Sequence, residues 1–334
     1  MAALLRRILA ALPLLTSATA TTVSSSTENM WPGWSTISHM IVFGDSYTAT
    51  GFNLSAAQPS VDNPLGNPAF PGYTSSNGPN WVDYLTLNYN ATFLQTVNLA
   101  YGGATVDSAL VPPYLPTVLS VKQQIQDEYQ KTYASHPATF QWKANTTLFA
   151  SFIGINDVGN AYAWSNSSQV FPKIWSTYTS LIEELYTSGA RNFLFINVPP
   201  VNRSPLTLAQ SYQSQTQERN DIEAWNANLT SMVSDLQTKH RDVTTFTFDA
   251  YTLFGQVLDD PCSHNTTCPY KNTTHYCEAY ENGTPEWYTY NVTCGLSVDK
   301  YFWLNSLHPT FRMHDLLAQK IGDLLGNGGK QAGC

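Results

Sequence analysis

The sequence predicts an α/β fold, a three-layer α/β/α sandwich around a central parallel sheet of about five strands. Five short apolar runs recur along the chain, each bounded by Gly, Asn, Pro or Asp, as buried strands are. Patterns of helical period separate them, and strand-helix alternation implies crossover connections in one parallel sheet. The alternation breaks only between Asp260 and Asp299, where four of the five cysteines lie.

The first run, His39-Met40-Ile41-Val42-Phe43, stops at Gly44, and the second covers residues 94–100 before Tyr101-Gly102-Gly103. Residues 148–153, 193–198 and 243–248 complete the five. Helical patterns occupy residues 81–89, 121–133, 170–188, 217–239 and 313–325. No internal repeat and no second core is evident, so residues 38–327 read as one domain with a cysteine-rich insertion at 260–299. Residues 328–334 form a C-terminal tail.

Upstream, residues 1–20 carry Arg6 and Arg7, an apolar stretch, and Ala18-Thr19-Ala20, the pattern of a secretory signal peptide cleaved after Ala20. Pro13 breaks the apolar stretch, which falls short of the roughly 20 residues a bilayer-spanning helix needs. Residues 21–37 are rich in Ser and Thr and read as a linker, with order starting near Ser38.

The formal net charge is −8 and becomes −10 once Arg6 and Arg7 leave, which argues against a nucleic-acid partner. Charged residues make up only 12% of the chain. N-x-S/T sequons at ten asparagines, four of them in the insertion, supply glycans as another way to solvate the surface. Together these point to a secreted, extracellular glycoprotein without stable membrane association; the sequence carries no signal for an oligomeric state. In that oxidising setting Cys262, Cys268, Cys277 and Cys294 read as two disulfides with three pairings open, and Cys334 stands alone. The C-x5-C spacing does not suit a structural zinc site, and no other cluster calls for a metal or cofactor.

Ligands of open parallel sheets bind at the carboxyl ends of the strands. Gly44-Asp45-Ser46 follows the first strand, Gly102-Gly103 the second, and Gly154-Ile155-Asn156-Asp157 the third. His308 stands just before the final helix, and histidine suits proton transfer near neutral pH. The lipase elbow G-x-S-x-G is absent, because Thr48 follows Ser46 by two.

These four blocks, in this order across nearly the whole chain, resemble those of the SGNH (GDSL-type) hydrolases. Asn80-Trp81-Val82, Asn197-Val198-Pro199-Pro200 and residues 303–310 are similar to fungal carbohydrate esterase family 16, whose members are typically acetylesterases. The resemblance implies a flavodoxin-like SGNH hydrolase fold and no cofactor. It further implies Ser46 as nucleophile, His308 as general base, and an oxyanion hole of the Ser46 N–H, the Gly103 N–H and the Asn156 side chain.

One position departs from the family, where an aspartate normally stands three residues before the histidine. Here it is Asn305. Three arrangements follow: a Ser-His dyad oriented by Asn305 or a backbone carbonyl, a carboxylate supplied from elsewhere, or a sugar-binding protein that has lost turnover. Asp45 adjoins Ser46 but suits a turn-holding role, and His314 is a rival base inside the last helix. The expected substrate is an acetylated carbohydrate or another small ester, and a lipase for longer acyl chains is the alternative enzyme.

Overall fold

A computed structural model describes residues 31–328, so the expected signal peptide, most of the expected linker and Cys334 lie outside the described residues. Five strands, β1 (His39–Gly44), β2 (Gln95–Asn98), β3 (Thr147–Phe152), β4 (Asn192–Ile196) and β5 (Thr244–Phe248), form one parallel sheet in the order β2-β1-β3-β4-β5. All six residues of β3 are buried, as a strand covered on both faces requires. β1 pairs with β2 on one side and β3 on the other, with His39 level with both Gln95 and Thr147.

Nine helices accompany the sheet among the described residues. They are α1 (Trp81–Leu87), α2 (Val121–Gln123), α3 (Gln130–Thr132), α4 (Ile155–Ala161), α5 (Ser167–Thr187), α6 (Pro205–Leu208), α7 (Tyr212–Lys239), α8 (Ala250–Asp259) and α9 (Phe311–Gly326). A π-helical turn, Gln124–Tyr129, joins α2 to α3, so the helix expected at 121–133 is nearly continuous. Adjacent residues of β5 locate the two helical layers, because side chains alternate across a strand. Thr245 accepts a hydrogen bond from Gln237 of α7, while Phe246 packs on Trp31, whose indole donates to Leu325 of α9. The three-layer α/β/α arrangement is therefore as expected.

The sequence reading did not assign α4, α6 or α8. In α8 the signal was present: Ala250, Leu253, Phe254, Val257 and Leu258 are buried at helical spacing, and Asp249 caps the N–H of Thr252.

A second difference concerns the region read as linker through residue 37. Trp31 and Trp34 are buried, and their indoles donate to the Leu325 and Tyr89 carbonyls at 3.3 and 3.1 Å. Composition hides this, because two indoles bury more apolar surface than their polar neighbours expose.

The insertion has little regular structure beyond three 3-10 turns. Its cysteines pair Cys262–Cys268 and Cys277–Cys294, one of the pairings left open. A small cluster packs its Tyr280 and Val298 against Tyr301 and Leu304 of the segment that follows. Asp299 anchors it to α9 through Arg312 at 2.8 Å. Burial would raise the Asp299 pKa, but hydrogen bonds from Ser297, Arg312 and Lys300 outweigh it and hold the carboxyl below its ordinary value.

A strap and a linker respond differently to truncation. Trp34→Ala is expected to cost about 3 kcal/mol in urea unfolding, as for other large-to-small changes at buried aromatics. A change within the roughly 0.5 kcal/mol typical of surface sites would restore the linker reading.

Candidate active site

Parallel pairing brings three strand ends to one edge of the sheet, and the turn after β1 is fixed there by amide side chains. Gly44 closes the strand where a Cβ would lie 2.5 Å from the Phe152 carbonyl oxygen, so no larger residue fits. Gln124, in the π turn, accepts from the Gly44 N–H at 3.0 Å and donates to its carbonyl at 2.9 Å, extending the strand as a neighbouring backbone would. Asn80 and Asn98 each donate to the Thr48 carbonyl at 2.7 Å. Sequence reasoning gave none of these amides a role. Asn80-Trp81 had been noted as a motif, whereas Gln124 carried no signal.

Asp45 turns inward, accepting the Tyr47 N–H at 3.0 Å, as its turn-holding role requires. Burial pushes its pKa up to about 8, with the Tyr47 bond opposing and Asp157 adding. Tyr47 spans the site, donating from its hydroxyl to the Leu307 carbonyl at 2.6 Å and tying this turn to the loop that carries His308.

Ser46, 9% exposed, places Oγ 2.8 Å from Nε2 of His308. On the other side of the ring, Nδ1 lies 3.0 Å from Oδ1 of Asn305. That oxygen also accepts the backbone N–H groups of Leu307 and His308 at 3.1 and 2.9 Å, while Nδ2 donates to the Glu281 carbonyl at 3.3 Å. The surroundings thus fix the amide: oxygen toward three donors, nitrogen toward a carbonyl. The ring then carries its proton on Nδ1 and presents a lone pair to Ser46. Among the described residues no carboxylate is hydrogen-bonded to this imidazole. Burial lowers the His308 pKa to about 4, with no anion to offset it.

At the end of β2, Gly103 has φ +82° and a Cβ there would lie 2.4 Å from the Tyr114 ring, so glycine alone lets the backbone turn here. From the first turn of α4, Asn156 donates through Nδ2 to the Ala104 carbonyl at 2.9 Å, which leaves its second hydrogen free. Asp157 binds the same loop, both carboxylate oxygens accepting the Val106 N–H at 3.0 and 3.2 Å. Among the described residues the N–H groups of Ser46 and Gly103 meet no protein acceptor. The structure therefore brings all five expected site residues to one edge of the sheet. His314 does not join them: it is 2% exposed, inside α9.

A cleft of about 680 Å³ opens beside His308 between the segment 71–78 and the insertion, with Tyr73, Asn77, Glu281, Thr284, Trp287 and Asn305 in its walls. Thr284 donates its N–H to Asn77 across the cleft at 2.6 Å.

Residues 40–321 match the GDSL-like lipase/acylhydrolase family. The chain belongs to that family. An acetylesterase from Thermothelomyces thermophilus is 35% identical over 287 residues, covering 85% of this chain and 87% of that protein. A GDSL esterase/lipase from Arabidopsis thaliana is 27% identical over 328 residues, covering 84% and 85%. Among solved structures, a variant of an acetyl xylan esterase from Geobacillus stearothermophilus aligns with a TM-score of 0.49 at 14% identity, covering 87% of this chain and 97% of that one. The chain is thus a carboxylic ester hydrolase of the acetylesterase type, and among its described residues no helix is long and apolar enough to cross a membrane.

In this GDSL hydrolase His314 is a load on stability at low pH. Burial, reinforced by nearby His308, lowers its pKa from 6.5 to about 3. The unfolded chain therefore takes up a proton below pH 6.5 that the folded chain refuses until about pH 3, so stability falls across that window as pH drops. His314→Leu removes this load, and its stability advantage over wild type in urea unfolding is expected to grow from pH 7 to pH 4. An advantage independent of pH would contradict the burial argument.

Proposed function

We propose that the protein is a secreted serine esterase that removes acetyl or other short acyl groups from carbohydrates or oligosaccharides of plant cell walls. The observation that carries this is the unbroken line from Ser46 Oγ through the His308 ring to Asn305 Oδ1, with contacts of 2.8 and 3.0 Å. Ser46 attacks the ester carbonyl while neutral His308 takes its proton, then returns it to the departing alcohol. The Ser46 and Gly103 N–H groups and the free Asn156 hydrogen bind the oxyanion, where loss of one donor typically costs about 100- to 1,000-fold in rate.

Asn305 orients the ring and selects the tautomer in this scheme but adds no charge to stabilise the imidazolium. In a serine protease the corresponding aspartate-to-asparagine change costs about 10⁴-fold because the tautomer is wrong. Here the amide flip, held by the Leu307 and His308 N–H groups and the Glu281 carbonyl, keeps the tautomer right.

Support for a carbohydrate comes from the cleft. His308 borders it, so the alcohol that receives the proton leaves on that side. Exposed Tyr73 and the indole of Trp287 offer flat apolar faces in its walls. Secretion is supported by the signal-like residues 1–20, the sequons and the two disulfides.

A serine-reactive phosphonate is expected to label the wild-type protein at Ser46 and to leave Ser46→Ala unmodified, with His308→Ala labelled at least about 100-fold more slowly. Absence of wild-type labelling, together with intact sugar binding, would favour the binding-protein reading.

The acid side of the pH profile tests Asn305. With the His308 pKa near 4, kcat/KM for a small acetyl ester is expected to hold its plateau down to about pH 5 and to halve near pH 4. Asn305→Asp places an anion on the ring and is expected to move that limb upward by about 1 to 3 units. An unmoved limb would separate Asn305 from the base.

A further inference from the structure

A second pocket, of about 240 Å³, lies between α4 and α7 and shares no lining residue with the large cleft. Asn156 and Leu307 stand in its wall, so it adjoins the expected oxyanion donor and the neighbour of His308. In the esterase reading the two pockets lie on the two sides of the ester, with His308 in the wall of one and Asn156 in the wall of the other. The alcohol must depart on the side of His308, which borders the large cleft alone, and the acyl group, its carbonyl held at Asn156, extends the other way.

Ile155, Val201, Leu206 and Leu307 make much of this second wall apolar, yet Glu218 of α7 also lines it. Glu218 is 3% exposed, and its Oε2 has no hydrogen-bond partner. Gly159 lines the same pocket, and a Cβ there would stand at ordinary contact distance, 3.8 Å, from the other carboxyl oxygen, Oε1. A buried polar atom without a partner is costly. Burial raises the Glu218 pKa, with a hydrogen bond from Thr207 opposing and Asp221 adding, which favours the neutral acid, able both to donate and to accept.

We propose that this pocket is the acyl subsite and that Glu218 selects acyl groups bearing a hydroxyl, the hydroxyacyl esters, over unsubstituted chains of the same length. The proposal rests on the Ser46–His308 esterase reading. A plain alkyl chain would seal the acid off from water with Thr207 as its only partner, whereas a chain hydroxyl adds a second. Glu218 is a specificity residue here and takes no part in proton transfer.

The test compares p-nitrophenyl 3-hydroxybutanoate with p-nitrophenyl butanoate on the full chain, for wild type, Glu218→Gln and Glu218→Leu, each checked for folding by thermal melting. One neutral hydrogen bond corresponds to about tenfold in kcat/KM, so wild type is expected to prefer the hydroxy ester by that factor. Glu218→Gln should keep most of the preference, and Glu218→Leu should reverse it. A variant-free reading comes from inhibition of wild type, where 3-hydroxybutanamide should bind more tightly than butanamide. A wild-type ratio near one, or an unchanged ratio in Glu218→Leu, would overturn the proposal. Failure of wild type to hydrolyse even p-nitrophenyl acetate would instead remove the esterase reading on which it rests.

Discussion

Parallel pairing is the constraint on which this molecule depends. Every strand of a parallel sheet ends at the same edge, so whatever follows β1, β2 and β3 is delivered to one place. The order β2-β1-β3-β4-β5 adds the rest, because β1 lies between β2 and β3 and the turn after it is flanked by the turns after both. Ser46 is thereby set between Gly103 and Asn156 by strand pairing itself. The chain goes from β1 to β2 on one side and then crosses back to β3 on the other, which makes the β1/β3 edge the topological switch point.

What pairing does not fix, buried amides do. Gln124 completes the hydrogen bonding of Gly44, and Asn80 and Asn98 hold the Thr48 carbonyl, so the Ser46 turn is enclosed by neutral groups. The same preference appears at His308. Asn305 donates to the Glu281 carbonyl and accepts from the imidazole, and only an amide does both. A carboxylate at that position would turn an oxygen toward the Glu281 carbonyl. The insertion therefore supports the site as well as walling the cleft, since Glu281 belongs to it and Asp299 fastens it to α9.

Some of this was readable in the chain and some was not. The five strands were legible because apolar runs ending at Gly, Asn or Pro are local patterns, and the catalytic blocks because their positions after strands place them together. Asn305 was legible as a departure, yet its meaning was not. Whether an amide orients a ring or abandons it depends on which way it is flipped, and the Leu307 and His308 N–H groups set that, with Glu281, 24 residues away in sequence, reinforcing it. The strap of Trp31 and Trp34 was misread because a Ser/Thr-rich composition says nothing about where two indoles land. α8 was missed although its spacing was present, and Glu218 gave no signal, since a lone glutamate on a long polar helix looks like any solvated one.

By itself the sequence determined the α/β class, the order of its strands along the chain, and the placing of a serine, a glycine and an asparagine after strands and of a histidine before the last helix. Those follow from local periodicity and turn chemistry, which act over a few residues. Only the tertiary structure decided the strand order across the sheet, the disulfide partners, the flip of Asn305, and the burial of Glu218 beside an open pocket. Each of these is settled by contacts between segments far apart in the chain, where burial removes water and leaves every polar atom to find its partner or go without one.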